Sequence, residues 1–311
     1  MTTELSVIIP VLNDEVDLKV TVSGLLNSTP ADRVEIIVVD DFSDTPVADL
    51  PDSVKLIRLP ERRGVAFARH LGAMLATGKW LLMIDSHMQF GKNWYELMMP
   101  RIRSEPDYRV AFNGTCLGLG FGAKTLEEYK GRYCAATICL WNEKELDLIE
   151  GKWLPTSPID DAEVPCFMGA CYVFTRIWFL ELGGLSALRM WGSDEPYLGL
   201  KCWMYGGSIR FMSRVEFGHK FRDSAPYVTQ VWNIVYNKAR IAAELFDAED
   251  RDVAFALLAR KYPNEWRYVL QQLSEDASLI SQARSRPKVR DLDWYCQRFN
   301  IQPLPDGSEI S

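Results

Sequence analysis

The stretch KWLLMIDSHMQF at residues 79–90 decides how this chain is read. Lys79–Ile84 is an apolar run of the length expected of a buried parallel strand, and it closes on Asp85-Ser86-His87. Alternate residues of a strand point to one face, so Asp85 and His87 share a face. A carboxylate oxygen and an imidazole nitrogen placed together at the C-terminal tip of a strand can hold a divalent ion, at the edge where open α/β sheets bind ligands. A strand end followed by an ordinary polar turn is the rival reading of the tripeptide, and the rest of the chain must decide between them.

Outward from this stretch, Leu5–Val11, Val34–Asp40, Val54–Leu59 and Arg109–Asn113 are further short runs rich in β-branched residues. Glu15–Asn27 and Val65–Ala76 carry apolar residues at helical spacing between them, with Gly78 where a helix stop is expected. This alternation predicts an α/β fold, a doubly wound, mostly parallel sheet with right-handed crossovers. Residues 114–165, with GTCLGLGFG and WLPTSPIDDAEVP, read as long loops and short strands over the ligand-binding edge. Phe167–Thr175 reads as a strand, Arg176–Leu182 as a short helix and Asp194–Tyr205 as a helix. Ser208–Met212 and Val215–His219 read as two strands. From residue 227 to 298 the periodicity is helical, which predicts a C-terminal region of three or four helices. The expected division is an α/β domain at 1–225 and a helical region at 226–311.

The 311 residues are 48% hydrophobic and 25% charged, as in ordinary globular proteins. No stretch reaches the roughly 18 uninterrupted apolar residues of a membrane span. Seven cysteines, an odd number without paired spacing, predict buried thiols in a reducing compartment, the cytoplasm. A formal net charge of −7 gives the whole molecule no attraction for polyanions. One basic run, Arg284, Arg286, Lys288 and Arg290, keeps a nucleic-acid partner in view.

Several motifs carry chemistry. Asp40 and Asp41 end the second strand and can accept from a nucleobase N–H or a ribose hydroxyl, or simply cap a turn. Arg62, Arg63, Gly64 and Arg69 bring guanidinium groups to the start of a helix, where phosphate oxygens bind well. Of the three histidines, His87 and His219 close strands. His219 with Asp85 and His87 completes one carboxylate and two imidazoles, a set that suits Mn²⁺ and related divalent ions, with Zn²⁺ also compatible. Trp191-Gly192-Ser193-Asp194-Glu195 sets two acids at a helix start, either as dipole-favoured caps or to orient a hydroxyl. Gly118-x-Gly120-x-x-Ala123 matches the relaxed dinucleotide fingerprint but follows the fifth strand, not the first, so these glycines are read as loop residues.

Taken in order, these pieces resemble the catalytic domain of the polypeptide N-acetylgalactosaminyltransferases, GT-A nucleotide-sugar glycosyltransferases. The matching segments are SVIIPVLNDE (6–15), EIIVVDDFSD (35–44), RRGVAFARHLGA (62–73) and LLMIDSHMQFGKNW (81–94). CFMGACYVFTRIWFLELGG (166–184), MWGSDEPYLGLKCWMYGGSIRFM (190–212) and VEFGHKFR (215–222) continue the match. The resemblance covers about residues 5–225 and implies a GT-A fold, Rossmann-like and mostly parallel, with a C-terminal helical appendage. It implies a Mn²⁺-dependent enzyme that takes a sugar from a UDP donor with retention. Asp85, His87 and His219 would hold the metal, with Ser86 between them in the donor site. Leu12, Asn13 and Asp40 or Asp41 would face uridine, and Arg62 and Gly64 would belong to the nucleotide-sugar site. Arg69 and Arg222 would contact phosphate, Trp191 would close over the donor, and Asp194 or Glu195 would act on the sugar.

The family's Trp-Gly-Gly-Glu-Asn becomes Trp-Gly-Ser-Asp-Glu here, which leaves the sugar open. The family's membrane anchor, disulfide frame and lectin domain have no counterpart in these residues. The expectation is therefore a cytoplasmic version, microbial or viral. Its hydroxyl acceptor could be a protein Ser or Thr, a glycan or a hydroxymethylated DNA base, and a nucleotide-sugar-binding protein without catalysis is the rival class.

Overall fold

A computed structural model describes residues 3–120, 122–144, 147–169, 171–222 and 229–306. In the first third the alternation read from the sequence is present: β1 (Leu5–Val11), α1 (Glu15–Ser28), β2 (Val34–Asp40), β3 (Val54–Arg58), α2 (Val65–Leu75) and β4 (Trp80–Ile84). β1 and β4 are buried along their whole length, as strands covered on both faces must be. β1 pairs in parallel with β2 and β4, and β2 in parallel with β3.

The chain then continues through β5 (Met88–Phe90), α3 (Trp94–Arg103), β6 (Val110–Leu119), β7 (Tyr129–Cys134), β8 (Ala136–Asn142), β9 (Asp147–Trp153), β10 (Cys171–Thr175), α4 (Arg176–Glu181), α5 (Asp194–Met204) and β11 (Ser208–Lys220). The main sheet runs β3-β2-β1-β4-β10-β6-β11-β5, with β7 also paired to β6, and β8 and β9 form a separate ribbon. This sheet is mixed: the GT-A fold is as expected, and antiparallel strands join the parallel ones. β10 is antiparallel to both β4 and β6, and β5 is antiparallel to β11. Apolar runs reveal burial but not strand direction, and among the described residues no helix crosses over between β9 and β10 to impose a parallel return.

Two further expectations change. β6 extends to Leu119, through Gly118, which was expected in a loop. A Cβ on Gly114 or Gly118 would come within 2.8 Å of the Phe217 or Tyr133 ring, so these glycines mark close packing inside a strand, not loop freedom. The two strands expected at 208–219 are one strand, β11, whose register shifts between Met212 and Glu216. The polar interruption there is a bulge, not a turn. Within the strand expected at 167–175, Ala170 lies outside the described residues, as does the 225/226 boundary.

The C-terminal region contains five described helices: α6 (Val231–Leu245), α7 (Ala248–Lys261), α8 (Pro263–Glu275), α9 (Ala277–Ser285) and α10 (Leu292–Phe299). Single residues such as Tyr262 and Asp276 separate neighbouring helices, breaks too short to interrupt a periodic pattern. These helices share one buried cluster with the sheet, including Ile8, Phe174, Leu200, Ala239, Leu257 and Tyr295. All seven cysteines are free thiols, six of them buried. Among the described residues, no helix is long and apolar enough to cross a membrane.

Candidate active site and metal centre

Strand pairing explains how the third imidazole arrives. β5 follows the Asp85–His87 turn at once and pairs with β11, setting Met88 opposite His219. Asp85, His87 and His219 each offer one ligand atom, and the three atoms lie within 4.8 Å of one another. His219 Nε2 is 3.1 Å from His87 Nε2 and 3.2 Å from Asp85 Oδ2. Two imidazole nitrogens facing each other beside a carboxylate oxygen form a donor set that fits a borderline divalent cation. The turn is held from α1, where Thr21 Oγ1 donates to the Ser86 carbonyl at 2.8 Å and accepts from Met88 N at 2.8 Å.

Asp14, which the sequence reading did not single out, organises this centre. Its carboxylate accepts from Ser86 Oγ at 2.5 Å, binds His87 Nδ1 at 2.8 Å and pairs with Arg222. A proton on Nδ1, held by Asp14, leaves the His87 Nε2 lone pair free for a cation. Burial alone would raise the Asp14 pKa, but the bonds from His87 and Ser86 and the charges of His87 and Arg222 outweigh it and lower it. Arg222 reaches the same cluster, its Nη2 lying 3.4 Å from His87 Nδ1.

Arg69 projects from α2 and is almost fully buried, with one guanidinium nitrogen 2.6 Å from Asp85 Oδ1 and the other 3.1 Å from Asp194 Oδ2. Its guanidinium therefore bridges two carboxylates of the site. Burial pushes the Asp85 carboxyl up, yet the Arg69 charge, the His219 bond and the imidazole charges hold it well below the usual carboxylate range. Burial pushes Asp194 up, as does Glu195, against the opposing pull of Arg69. Glu195 is raised by burial as well, and its Oε1 accepts from Gly169 N at 3.0 Å.

A cleft of about 840 Å³ runs past this centre. Leu12, Asp41, Arg62, Gly64, Ser86, Trp191, Asp194, Glu195 and Arg222 line it along with the three candidate ligands and Arg69. Asn13 and Asp40 do not. Asn13 ties two loops together, its N donating to Ser43 Oγ at 2.9 Å and its Nδ2 to Asp44 at 3.1 Å. Asp40 is buried, accepts from Ser43 N at 2.9 Å and pairs with Arg58. Successive strand residues face opposite ways, so of the two acids at the end of β2 only Asp41 reaches the cleft.

Asp41 accepts from Arg63 N at 2.6 Å and Gly64 N at 2.8 Å, which shapes the turn before α2. Gly64 has φ +88°, and a Cβ there would lie 2.1 Å from Met190 Cα, so this close approach admits only glycine. Trp191 is 47% exposed. The cleft is completed by residues the sequence reading gave no role, Glu150 and Trp153 from β9 and Asn233 from α6. Nothing in their local sequence marks them, because they reach the cleft only through tertiary packing.

The mixed sheet and its helices have the fold of the GT-A class, with the candidate metal centre in the cleft. Residues 6–148 match the family model of glycosyl transferase family 2. The more particular likeness is to polypeptide N-acetylgalactosaminyltransferases. A putative polypeptide N-acetylgalactosaminyltransferase 13 of Drosophila melanogaster is 25% identical over 94% of this chain and 55% of its own length. Human polypeptide N-acetylgalactosaminyltransferase 10 is 30% identical over 94% of this chain and 49% of its own. A crystal structure of GalNAc-T7 with UDP, GalNAc and Mn²⁺ superposes with a TM-score of 0.64 at 20% identity, over 89% of this chain and 57% of that one. The chain thus spans about half the length of the curated relatives it matches.

Proposed function

We propose that this chain moves a sugar, GalNAc, glucose or a close relative, from a UDP donor to a hydroxyl acceptor with retention of configuration. A divalent cation, Mn²⁺ foremost, would be held by Asp85, His87 and His219. The observation that carries this reading is the convergence of those three side chains, their ligand atoms within 4.8 Å, on a cleft large enough for a nucleotide sugar. Relatives named for N-acetylgalactosamine transfer to polypeptides support the donor and a polypeptide acceptor. The structural neighbour with UDP, GalNAc and Mn²⁺ supports the ion.

When bound, the cation supplies Lewis-acid stabilisation of the diphosphate as the bond to the sugar breaks. The protein's own residues act by position. Arg69 keeps Asp85 ionised, and Asp14 keeps His87 Nε2 free to coordinate. Arg222, beside His87, faces the region of the diphosphate. Asp41 holds the Arg62–Gly64 turn at the uridine end, and Trp191 closes over the donor. Asp194 is anchored to Arg69 through Oδ2 and keeps Oδ1 for a sugar hydroxyl. Such anchoring suits Asp194 to bind a hydroxyl, not to attack the anomeric carbon. The acceptor hydroxyl then arrives on the face from which the diphosphate departs.

UDP-sugar hydrolysis measured with Mn²⁺ and with a chelator tests the reading. Activity that needs the metal and is lost in His219→Ala is the expected result; turnover indifferent to chelation would contradict it.

A further inference from the structure

α6 is pinned over the turn that leads into Asp194. Asn237 Nδ2 donates to the Arg189 carbonyl at 2.9 Å and the Gly192 carbonyl at 2.8 Å, while its Oδ1 accepts from Arg189 N at 2.8 Å. Asn233 lies four residues earlier, one turn along the same helical face, and lines the cleft together with Ser193 and Asp194. Asn233 is 2% exposed. Among the described residues its Oδ1 has no hydrogen-bond partner, and its Nδ2 reaches only Gln230 Oε1, at 3.4 Å. Ser193 Oγ and Asp194 Oδ1 are likewise buried without partners.

Buried polar atoms left unpaired are rare in folded proteins, and among the described residues two acceptor oxygens and a hydroxyl without partners line one wall of the cleft, as a polar ligand requires. The wall adjoins the candidate metal centre, because Arg69 joins Asp194 to Asp85. A sugar on a diphosphate held at that centre would lie against this wall.

We propose that Asn233 is a specificity-determining residue of the donor site, its amide oxygen accepting a hydrogen bond from a hydroxyl or acetamido N–H of the transferred sugar. The C-terminal helical region thereby contributes directly to the choice of sugar. The inference rests on the UDP-sugar reading above. It adds a residue beyond the motif segments at about 5–225, on a helix that the sequence alone gave no role.

Calorimetric binding of UDP, UDP-glucose, UDP-galactose, UDP-GlcNAc and UDP-GalNAc, each with Mn²⁺ present, tests it on the full chain and on Asn233→Leu. Loss of one hydrogen bond to the sugar is expected to weaken the best-bound UDP-sugar by about tenfold and to flatten the ranking among the four, while UDP itself binds within about twofold of the wild type. Unchanged sugar ranking would overturn the proposal, and so would an equal loss for UDP and every UDP-sugar, which would mean that Asn233 only shapes the cleft. Should Asn233→Leu fail to fold, Asn233→Ser carries the same comparison with a smaller side chain. A wild-type chain that binds no UDP with Mn²⁺ would instead defeat the UDP-sugar reading itself.

Discussion

The Asp14 carboxylate binds the candidate ligand His87 together with its neighbours Ser86 and Arg222. Outer groups of this kind fix the orientation and tautomer of a ligating histidine, and their loss typically costs about 10–100-fold in metal affinity. Asp14→Ala is therefore expected to weaken Mn²⁺ binding by about that factor, read as free Mn²⁺ by electron paramagnetic resonance; unchanged affinity would remove Asp14 from the site. The residue escapes a sequence reading because an acid at the start of α1 looks like a helix cap. Asp14 does occupy the N-cap position, yet its side chain makes no capping bond and turns to His87 instead. Asp85 and His87 were legible because strand alternation puts them on one face. His219 stood out through the scarcity of histidine and the family resemblance, since 131 residues of intervening sequence carry no spacing signal. Asp40 and Asp41 show the limit from the other side. Alternation says that they face opposite ways, but only the packed sheet says which one meets the cleft.

Elements were legible where burial alone identifies them, as in β1, β2 and β4, and illegible where pairing decides. The antiparallel insertion of β10 between β4 and β6 and the bulge within β11 both depend on partners distant in sequence. The bulge matters to the site, because after it β11 runs on to pair with β5 and bring His219 to His87. Among the C-terminal helices, the start of α7 makes a separate prediction about pH. Asp250 is raised from 3.8 to about 6, first by burial and then by the neighbouring charges of Asp247, Asp293, Glu249 and Asp291. The folded chain therefore binds this proton more tightly than the unfolded chain does. The resulting stability is fully present below pH 3.8 and is lost as pH rises through about 6. Asp250→Asn should raise the melting temperature at neutral pH and flatten its dependence across that window; an unaltered profile would contradict this assignment.

At the scale of the molecule, an acidic chain holds a basic run that makes internal bonds. Arg284 donates to the carbonyls of Ala243 and Phe246 at 2.8 and 3.0 Å, Lys288 to Leu245 at 2.5 Å, and Arg290 to Trp203 and Gly207 at 3.2 and 2.9 Å. Arg286 bonds the Glu181 carbonyl. Cations near helix C-termini satisfy carbonyls that have no partner within the helix, and Arg286 and Arg290 also fasten the C-terminal helices to α4 and to the α5–β11 turn. Replacing Arg284 and Arg290 together by Met is expected to cost about 1–3 kcal/mol of stability, seen as a lower melting temperature. Salt-sensitive DNA binding abolished by the same change, with stability unaffected, would instead assign the run to nucleic acid.

The most direct test of the central claim is an anomalous-difference map at the manganese edge, from crystals grown with Mn²⁺ and UDP. The account predicts one strong peak bounded by Asp85, His87 and His219, with the diphosphate beside it. UDP ordered in the cleft with no peak among those three side chains would contradict it.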